Sequence, residues 1–301
     1  MKLLSFSHAG HFRPGVLIDD AVVDMEALVR RGSYPDHIAY SSVKALVATA
    51  SVAELQQLNA AARQSLAELG TAIDEVTLGP PIPDAQKVFS VGFNYDANIA
   101  EARAHKIDVG NGGPVVSTKL PTSLVGHLAP IELPAMAPHA VDWEGELAIV
   151  IGKTCRRADP QHALEHVAGY TVINDVTARD LQMASAQWTI GKSFDTSAPC
   201  GPTLVTSDEI PDPHALDLTT AVNDEVVQMS NTSRMLHSIP RLIAFISSAV
   251  TLVPGDIVAT GTPGGIGAAR NPQIFLRDGD TVSVSIAGIG TLTNPVRHEH
   301  P

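Results

Sequence analysis

Acidic side chains cluster in one short segment near the middle of the 301-residue chain. In VDWEGELAIVIGK, residues 141–153, alternate positions hold Asp142, Glu144 and Glu146. Successive side chains of a strand point to opposite faces, so a single strand would place these three carboxylates together. The apolar run that follows predicts a buried strand, in which ionised carboxylates repel one another. We expect a shared proton, a basic partner or a metal ion beside them, and such oxygen ligands suit Mg²⁺, Mn²⁺ or Ca²⁺.

Another acid and a cation follow in NDVTARDLQ, residues 174–182. The β-branched residues 169–174 predict a strand and residues 177–188 predict a helix, so Asp175 falls at a strand-to-helix junction. Arg179 would stand in the first helical turn, where a cation opposes the helix dipole at a cost of about 0.3–1 kcal/mol. Its position indicates that it faces an anion such as a substrate carboxylate, with chance placement as the alternative.

Five motifs in this order resemble those of the fumarylacetoacetate hydrolase superfamily: VGFNY, VDWEGELAIVIGK, NDVTARDLQ, GKSFD and PGDIVATGTPGGIG. The resemblance covers about residues 85–297. It implies that Glu144, Glu146 and Asp175 bind a divalent cation, Mg²⁺ or alternatively Mn²⁺ or Ca²⁺. It also implies a substrate-binding set and a catalytic lysine at the oxyanion. The substrate-binding residues are Tyr95, Arg179, Gln182 and Thr262, and the lysine is Lys192.

The helix predicted over residues 95–106 departs from the family pattern. Hydrolytic members that resemble acylpyruvases carry a histidine and a glutamate three residues apart, and that pair activates the attacking water. Here Asn98 occupies the histidine position, whereas Glu101 is retained. An amide cannot take up a proton at neutral pH, so Asn98 can orient a water but cannot be its base. His105 lies one turn beyond Glu101 and could form a displaced pair with it, the alternative being a solvated histidine.

The resemblance implies a metal-dependent hydrolase that cleaves a C–C bond of a 2,4-dioxo acid through a metal-stabilised enolate. The alternative is a lyase or isomerase of oxo acids, such as a decarboxylase, tautomerase or sugar-acid dehydratase, which uses the same enolate without an activated water. Asn98 favours this alternative. A binding protein that has lost catalysis is a third possibility. The expected partner is a small oxo acid, and the family usually forms homodimers.

The glycine-rich segment Gly261–Gly267 does not match a nucleotide-binding loop. A phosphate-binding loop of the Walker type needs a lysine after its last glycine, where this chain has Ala268. A dinucleotide-binding fold needs a following helix, which Arg270, Asn271 and Pro272 oppose. We therefore interpret the glycines as allowing close approach of the backbone to a small anionic ligand.

Composition excludes several classes of partner. The formal net charge of −12 disfavours nucleic acid and anionic membrane surfaces, so neither is expected as a partner. Cys155 and Cys200 are the two cysteines of the sequence, and their spacing indicates neither a disulfide framework nor a zinc site. The apolar part of MKLLSFSHAG is too short for a signal peptide, and no run of 18 apolar residues occurs. We expect a cytoplasmic protein.

The strands and helices predicted along the chain, which must position these residues, indicate an α+β, strand-rich fold. Short strands followed by a helical segment over residues 43–69 indicate a small N-terminal α/β domain over residues 1–78. Stacked prolines in residues 79–86 indicate a linker. Residues 87–301 would then form the catalytic domain, a mixed β-roll or barrel-like unit decorated with helices, as in the family.

Overall fold

The computed structural model describes residues 1–32, 34–104, 109 and 112–299. Within this part of the chain eighteen strands and eight α-helices form. The strands are β1 (Lys2–His8), β2 (His11–Ile18), β3 (Ala21–Asp24), β4 (Gly70–Ala72), β5 (Val88–Gly92), β6 (Val115–Lys119), β7 (Leu124–Val125), β8 (Ile131–Leu133), β9 (Val141–Asp142), β10 (Gly145–Ile151), β11 (Val167–Asn174), β12 (Thr177–Ala178), β13 (Ala198–Thr206), β14 (Asp217–Val222), β15 (Glu225–Asn231), β16 (Ile257–Ala259), β17 (Thr281–Ile286) and β18 (Gly290–His298). The helices are α1 (Met25–Val29), α2 (Val43–Thr49), α3 (Val52–Gln64), α4 (Leu66–Leu69), α5 (Asp96–Ala104), α6 (Arg179–Met183), α7 (Thr189–Lys192) and α8 (Ile239–Ala249). This confirms the predicted α+β, strand-rich class.

Strand β10 lies inside the largest sheet and is buried along its whole length. It pairs antiparallel with β11 on one side and with β16 on the other, and β16 in turn pairs in parallel with β5. Its side chains alternate between two cores. Ala148 and Val150 belong to one core, whereas Leu147, Ile149 and Ile151 belong to the other. The sheet is therefore covered on both faces, which explains the uninterrupted apolar run in the sequence.

The second core is closed by α8. Its apolar residues recur at helical spacing, and Ile239, Leu242, Ile243 and Ile246 are all buried in this core. Burying one such side chain contributes about 1.5–3 kcal/mol. A five-stranded sheet, in the order β15-β14-β17-β18-β8, and the short pair β12-β9 complete the strand pairing found among the described residues. Helix α8 therefore packs over the face of the main sheet that carries Leu147, Ile149 and Ile151.

The N-terminal strands continue the main sheet. Strand β1 pairs antiparallel with β13, with Lys2 opposite Val205, and β2, β3 and β4 extend the sheet outward from there. One hydrophobic core joins residues of both regions, including Leu46 and Val150. The proline-rich segment is largely buried, and Ser5 Oγ donates a hydrogen bond to the Pro81 carbonyl at 2.9 Å. The division into domains at residues 79–86 stays a prediction.

The acidic segment is not one continuous strand, contrary to the prediction. β9 ends at Asp142 and β10 begins at Gly145, because side chains replace backbone partners between them. The Glu144 amide donates to Asn174 Oδ1 at 2.9 Å, and the Gly145 amide donates to Gln228 Oε1 at 3.0 Å. The expected helix over residues 177–188 is also interrupted, since α6 ends at Met183 and α7 starts at Thr189.

Candidate metal centre and active site

Three buried carboxylates converge where β10 and β11 pair. Gly145 lies opposite Asn174, so Glu144 and Glu146 flank one end of the ladder while Asp175 follows the other strand. The Asp175 amide donates to the Glu144 carbonyl at 2.9 Å. One oxygen from each carboxylate lies within 4.8 Å of the others. The structure therefore brings together the three residues that were predicted as metal ligands.

Two buried lysines are ion-paired with this triad. Lys192 Nζ lies 2.6 Å from Asp175 Oδ2 and 3.0 Å from Glu144 Oε2. Lys119 Nζ lies 2.7 Å from Asp175 Oδ1 and donates to the Val176 carbonyl at 3.1 Å. Lys119 was not predicted as a site residue. It ends β6, which β5 places beside the triad, and only this long-range pairing brings it there.

Arg179 does face anions, but the anions that the structure shows are carboxylates of the protein itself. Its Nη2 lies 2.8 Å from both Asp142 Oδ2 and Glu144 Oε1. Asp142 also accepts hydrogen bonds from the amides of Gly267 at 2.7 Å and Ala268 at 3.0 Å. Asp142 was expected to be the third acid on the strand face. Its carboxylate instead anchors the glycine-rich segment and Arg179.

Burial and charge shift the pKa values of these groups in opposite directions. Burial raises the pKa of Glu146 well above its ordinary value, and the neighbouring Asp175 and Glu144 raise it further. Burial alone would also raise the pKa of Asp175, but Lys119 and Lys192 lower it below the ordinary range. Burial lowers the pKa of Lys119, whereas Asp175 and Glu144 outweigh burial at Lys192 and raise its pKa. Lys192 is therefore held as a cation.

The donor set fits a hard divalent cation. Among the described residues, four buried carboxylates face two buried lysines and the partly buried Arg179, so full ionisation would leave one negative charge uncompensated. The carboxylates are Asp142, Glu144, Glu146 and Asp175, and the cations are Lys119, Arg179 and Lys192. Glu146 has no ion-pair partner within the described part of the chain, and its Oε2 accepts only a neutral donor, the Gly261 amide, at 2.7 Å. Carboxylate oxygens in this number are the ligands that Mg²⁺ and Mn²⁺ prefer.

We expect Glu146→Gln to stabilise the metal-free protein and to abolish its stabilisation by metal. Glutamine keeps the acceptor for the Gly261 amide, removes the repulsion from Glu144 and Asp175, and can donate to them. The expected gain is about 0.5–2 kcal/mol, the usual size of one stabilising substitution. In the parent protein, a cation at 100 times its dissociation constant adds about 2.7 kcal/mol. Thermal unfolding in EDTA and in Mn²⁺ measures both effects.

The exposed Glu225→Gln is the matched control and should change neither quantity. A Glu146→Gln protein that is less stable in EDTA, or that keeps the parent's response to Mn²⁺, would contradict the role of this carboxylate.

A cavity of about 470 Å³ opens beside the triad. Its wall contains six of the predicted site residues: Asn98, Glu101, Glu144, Arg179, Gln182 and Lys192. The other residues of the wall are Phe93, Ala102, Ala140, Asp180, Met183, Trp188, Ile266, Ala268, Ala269, Gln273 and Phe275. Gln182 Oε1 accepts a hydrogen bond from Arg179 Nη1 at 3.0 Å, which links two of the predicted substrate-binding side chains.

Helix α5 carries Asn98 and Glu101 to the cavity. Both side chains line the cavity, and Glu101 Oε1 accepts a hydrogen bond from the Gly265 amide at 2.7 Å. This contact fixes the carboxylate in the wall of the cavity. His105, the predicted second member of a displaced pair, lies outside the described residues.

Two predicted substrate-binding residues are not part of the cavity wall. Thr262 Oγ1 donates to the Gly145 carbonyl at 3.0 Å and accepts from Gln228 Nε2 at 2.8 Å, so it supports the backbone of the triad. Tyr95 is 1% exposed, and its hydroxyl finds no hydrogen-bond partner among the described residues. Burial and the nearby Glu146 raise the pKa of Tyr95 above its ordinary value. The assignment of Thr262 and Tyr95 to substrate binding stays a prediction.

Comparison with known proteins identifies the family. The family model described as fumarylacetoacetate (FAA) hydrolase C-terminal matches residues 87–297. The chain belongs to the fumarylacetoacetate hydrolase family. This match confirms the resemblance of the five motifs, and it places Lys119, which none of those motifs contains, inside the family domain.

Relatives within the family carry different activities in their names. Oxaloacetate tautomerase YisK of Bacillus subtilis (strain 168) is 39% identical over 293 residues, which is 94% of this chain and 95% of that protein. The crystal structure of maleylpyruvate hydrolase from Sphingobium sp. SYK-6 with manganese(II) and pyruvate is 31% identical, covers 100% of both chains and has a TM-score of 0.79. That of 2-hydroxyhepta-2,4-diene-1,7-dioate isomerase from Mycobacterium marinum is 33% identical, with the same coverage and a TM-score of 0.74.

Two general predictions concern the environment of the chain. Cys155 and Cys200 are both buried and free. Among the described residues no helix combines the length and the apolar character needed to span a bilayer. The cytoplasmic location and the homodimer stay predictions.

Proposed function

We propose that this protein is a divalent-metal-dependent keto–enol tautomerase of 2-oxo acids. The observation that carries the proposal is a cavity in which a proton-accepting carboxylate, Glu101, shares one wall with the paired cations Lys192 and Arg179. Asn98 stands in that wall where hydrolytic relatives have a histidine, so the usual activation of water lacks its base. The names of the relatives above also favour isomerisation over the C–C hydrolysis expected first.

The reaction exchanges a proton on the oxygen of C2 for one on C3. In the enol-to-keto direction, the O–H proton leaves to solvent water as the carbonyl forms. The electrons of the C2–C3 double bond take a proton from protonated Glu101, which regains one from water, and the reverse direction runs these transfers backwards. Glu101 delivers and removes the proton at C3, at the position that its hydrogen bond from the Gly265 amide maintains. Lys192, held as a cation by Asp175 and Glu144, stabilises the oxygen on C2 electrostatically as its charge develops.

Arg179 and Gln182 orient the substrate carboxylate. Arg179 is 13% exposed in its side chain and is tied to Asp142, so its guanidinium has a fixed position. Gln182, hydrogen-bonded to Arg179, offers its amide N–H groups to the same ligand. When bound by Glu144, Glu146 and Asp175, Mg²⁺ or Mn²⁺ would polarise the 2-oxo carbonyl as a Lewis acid.

Hydrolysis of a 2,4-dioxo acid is the second candidate function. It adds water across a C–C bond and releases a carboxylic acid and a 2-oxo acid. The retained Glu101 and the similarity to a maleylpyruvate hydrolase favour it. Asn98 opposes it, because the amide leaves Glu101 without the histidine that completes the usual pair.

Enol oxaloacetate distinguishes these functions. With Mn²⁺ or Mg²⁺ present, we expect the enzyme to accelerate the loss of the enol's ultraviolet absorbance, and EDTA should remove this acceleration. Proton NMR should show keto oxaloacetate as the product, without pyruvate formed by decarboxylation. An acylpyruvate tested in parallel should remain uncleaved. Cleavage of the acylpyruvate with no effect on the enol would favour the hydrolase, and turnover that EDTA leaves unchanged would exclude the metal.

A further inference from the structure

The cavity wall is largely apolar beyond its charged residues. Five large apolar side chains line it: Phe93, Met183, Trp188, Ile266 and Phe275. They come from four separate parts of the chain, namely the end of β5, helix α6, the start of α7 and the glycine-rich segment with the residues after it. Their convergence creates an apolar wall beside the groups proposed to bind the 2-oxo acid.

Two of the three aromatic residues of this wall, Phe93 and Trp188, have fixed positions. Phe93 follows β5 directly and has a positive φ of 57°, a conformation that residues other than glycine rarely adopt. Its ring meets that of Trp188 edge to face, with ring centroids 5.8 Å apart and planes at 82°. Trp188 in turn packs against Gly92, where a Cβ would lie 3.0 Å from the indole. A backbone conformation this rare, held in the wall of a cavity, indicates a functional role for the ring.

The charges of the described wall residues do not suit a second carboxylate on the ligand. Among the described residues that line the cavity, Arg179 and Lys192 are the cations, and both are ion-paired with protein carboxylates. The same wall contains the acids Glu101, Glu144 and Asp180. One substrate carboxylate can bind at Arg179, but another on C3 would meet apolar surface and like charge, which is unfavourable.

We propose that the cavity selects 2-oxo acids that carry an aromatic group on C3, in preference to those with a second carboxylate there. This inference rests on the tautomerase function proposed above and names its substrate class. An arylpyruvate places its carboxylate and 2-oxo group at the charged residues and its ring against Phe93 and Trp188. Apolar contact with the ring then contributes to binding, whereas the charge of a second carboxylate at the same place would remain uncompensated.

Phenylpyruvate and oxaloacetate test the preference directly. With the Mn²⁺ enzyme, we expect kcat/KM for the enol of phenylpyruvate to exceed that for enol oxaloacetate at least tenfold. Equal values, or a higher value for oxaloacetate, would overturn the preference while leaving the tautomerase function intact. Turnover of neither enol would overturn the tautomerase function itself.

A cation added to the wall should shift the preference toward oxaloacetate. Met183 lines the cavity and is 60% exposed, so Met183→Arg places a guanidinium at the wall without burying it. We expect the ratio of kcat/KM values to shift toward oxaloacetate at least tenfold. The matched control is Met229→Arg, at a residue that is 79% exposed and outside the cavity wall, and it should keep the parent ratio. An unchanged ratio in Met183→Arg, or the same shift in both variants, would contradict the proposal.

Removing the aromatic side chain of Trp188 provides an independent test of the same preference. Trp188→Ala should lower kcat/KM for phenylpyruvate at least tenfold more than for oxaloacetate, chiefly through KM, because it removes apolar contact that only the aryl group makes. Trp188→Phe should retain most of the preference. Equal losses for both substrates in Trp188→Ala would indicate that Trp188 supports the fold of the site and does not contact the ligand.

Discussion

Replacing Glu101 by glutamine is expected to lower kcat for enol oxaloacetate by about 10²–10⁴-fold, the usual contribution of a positioned general acid–base group. Glutamine has nearly the same shape and can still accept the hydrogen bond from the Gly265 amide, so the geometry of the cavity wall should persist. It cannot accept a proton, so the substitution removes the acid–base function. Steady-state kinetics of the Mn²⁺ enzyme measure the effect, and KM should change little.

Glu68→Gln is the matched control, because this glutamate is 73% exposed in its side chain and lies on α4, outside the cavity wall. It should retain the parent kcat. If Glu101→Gln keeps kcat within threefold of the parent, Glu101 is not the proton-transfer group. A loss of rate in His105→Ala combined with an intact rate in Glu101→Gln would assign that role to His105.

Replacing Lys119 by methionine should lower the free energy of unfolding by about 3–5 kcal/mol, the usual cost of removing one partner of a buried ion pair. Lys119 is 1% exposed, and its ammonium lies 2.7 Å from Asp175. Methionine fills a similar volume but leaves Asp175 with Lys192 as its remaining cationic partner among the described residues. Urea unfolding in EDTA measures the change without a contribution from metal.

Lys153→Met, at an exposed lysine in the same family domain, should change the stability by no more than about 0.5 kcal/mol. Lys119→Met combined with Asp175→Asn should recover part of the loss, because the second change removes the unpaired charge. A loss below 1 kcal/mol in Lys119→Met, or no recovery in the double variant, would show that the pair contributes little to stability.

The triad could be predicted from the sequence because its chemistry is local. Glu144 and Glu146 are separated by one residue, and Asp175 follows the strand that pairs with theirs. Ordered motifs then identified the family, which the domain match confirms. The α+β class also follows from local patterns, since β-branched runs and a helical run are each visible within short windows.

Other features depend on contacts between distant parts of the chain. Lys119 ends a segment, VVSTK, that looks like an exposed edge strand, and only its pairing through β5 buries it beside Asp175. The interruption after Asp142 arises from the side chains of Asn174 and Gln228, which satisfy backbone amides that a continuous strand would pair. No pattern within residues 141–151 could reveal these partners.

The pairing of β1 with β13 has a consequence for synthesis on the ribosome. Lys2 has its partner at Val205, so β1 can pair with β2 but lacks its second neighbour until about 200 further residues have been translated. At about 5–20 residues per second this interval lasts roughly 10–40 seconds. During that time the nascent chain presents an open strand edge, which favours pairing with other chains. We therefore expect the yield of folded protein to depend on chaperones that bind nascent chains.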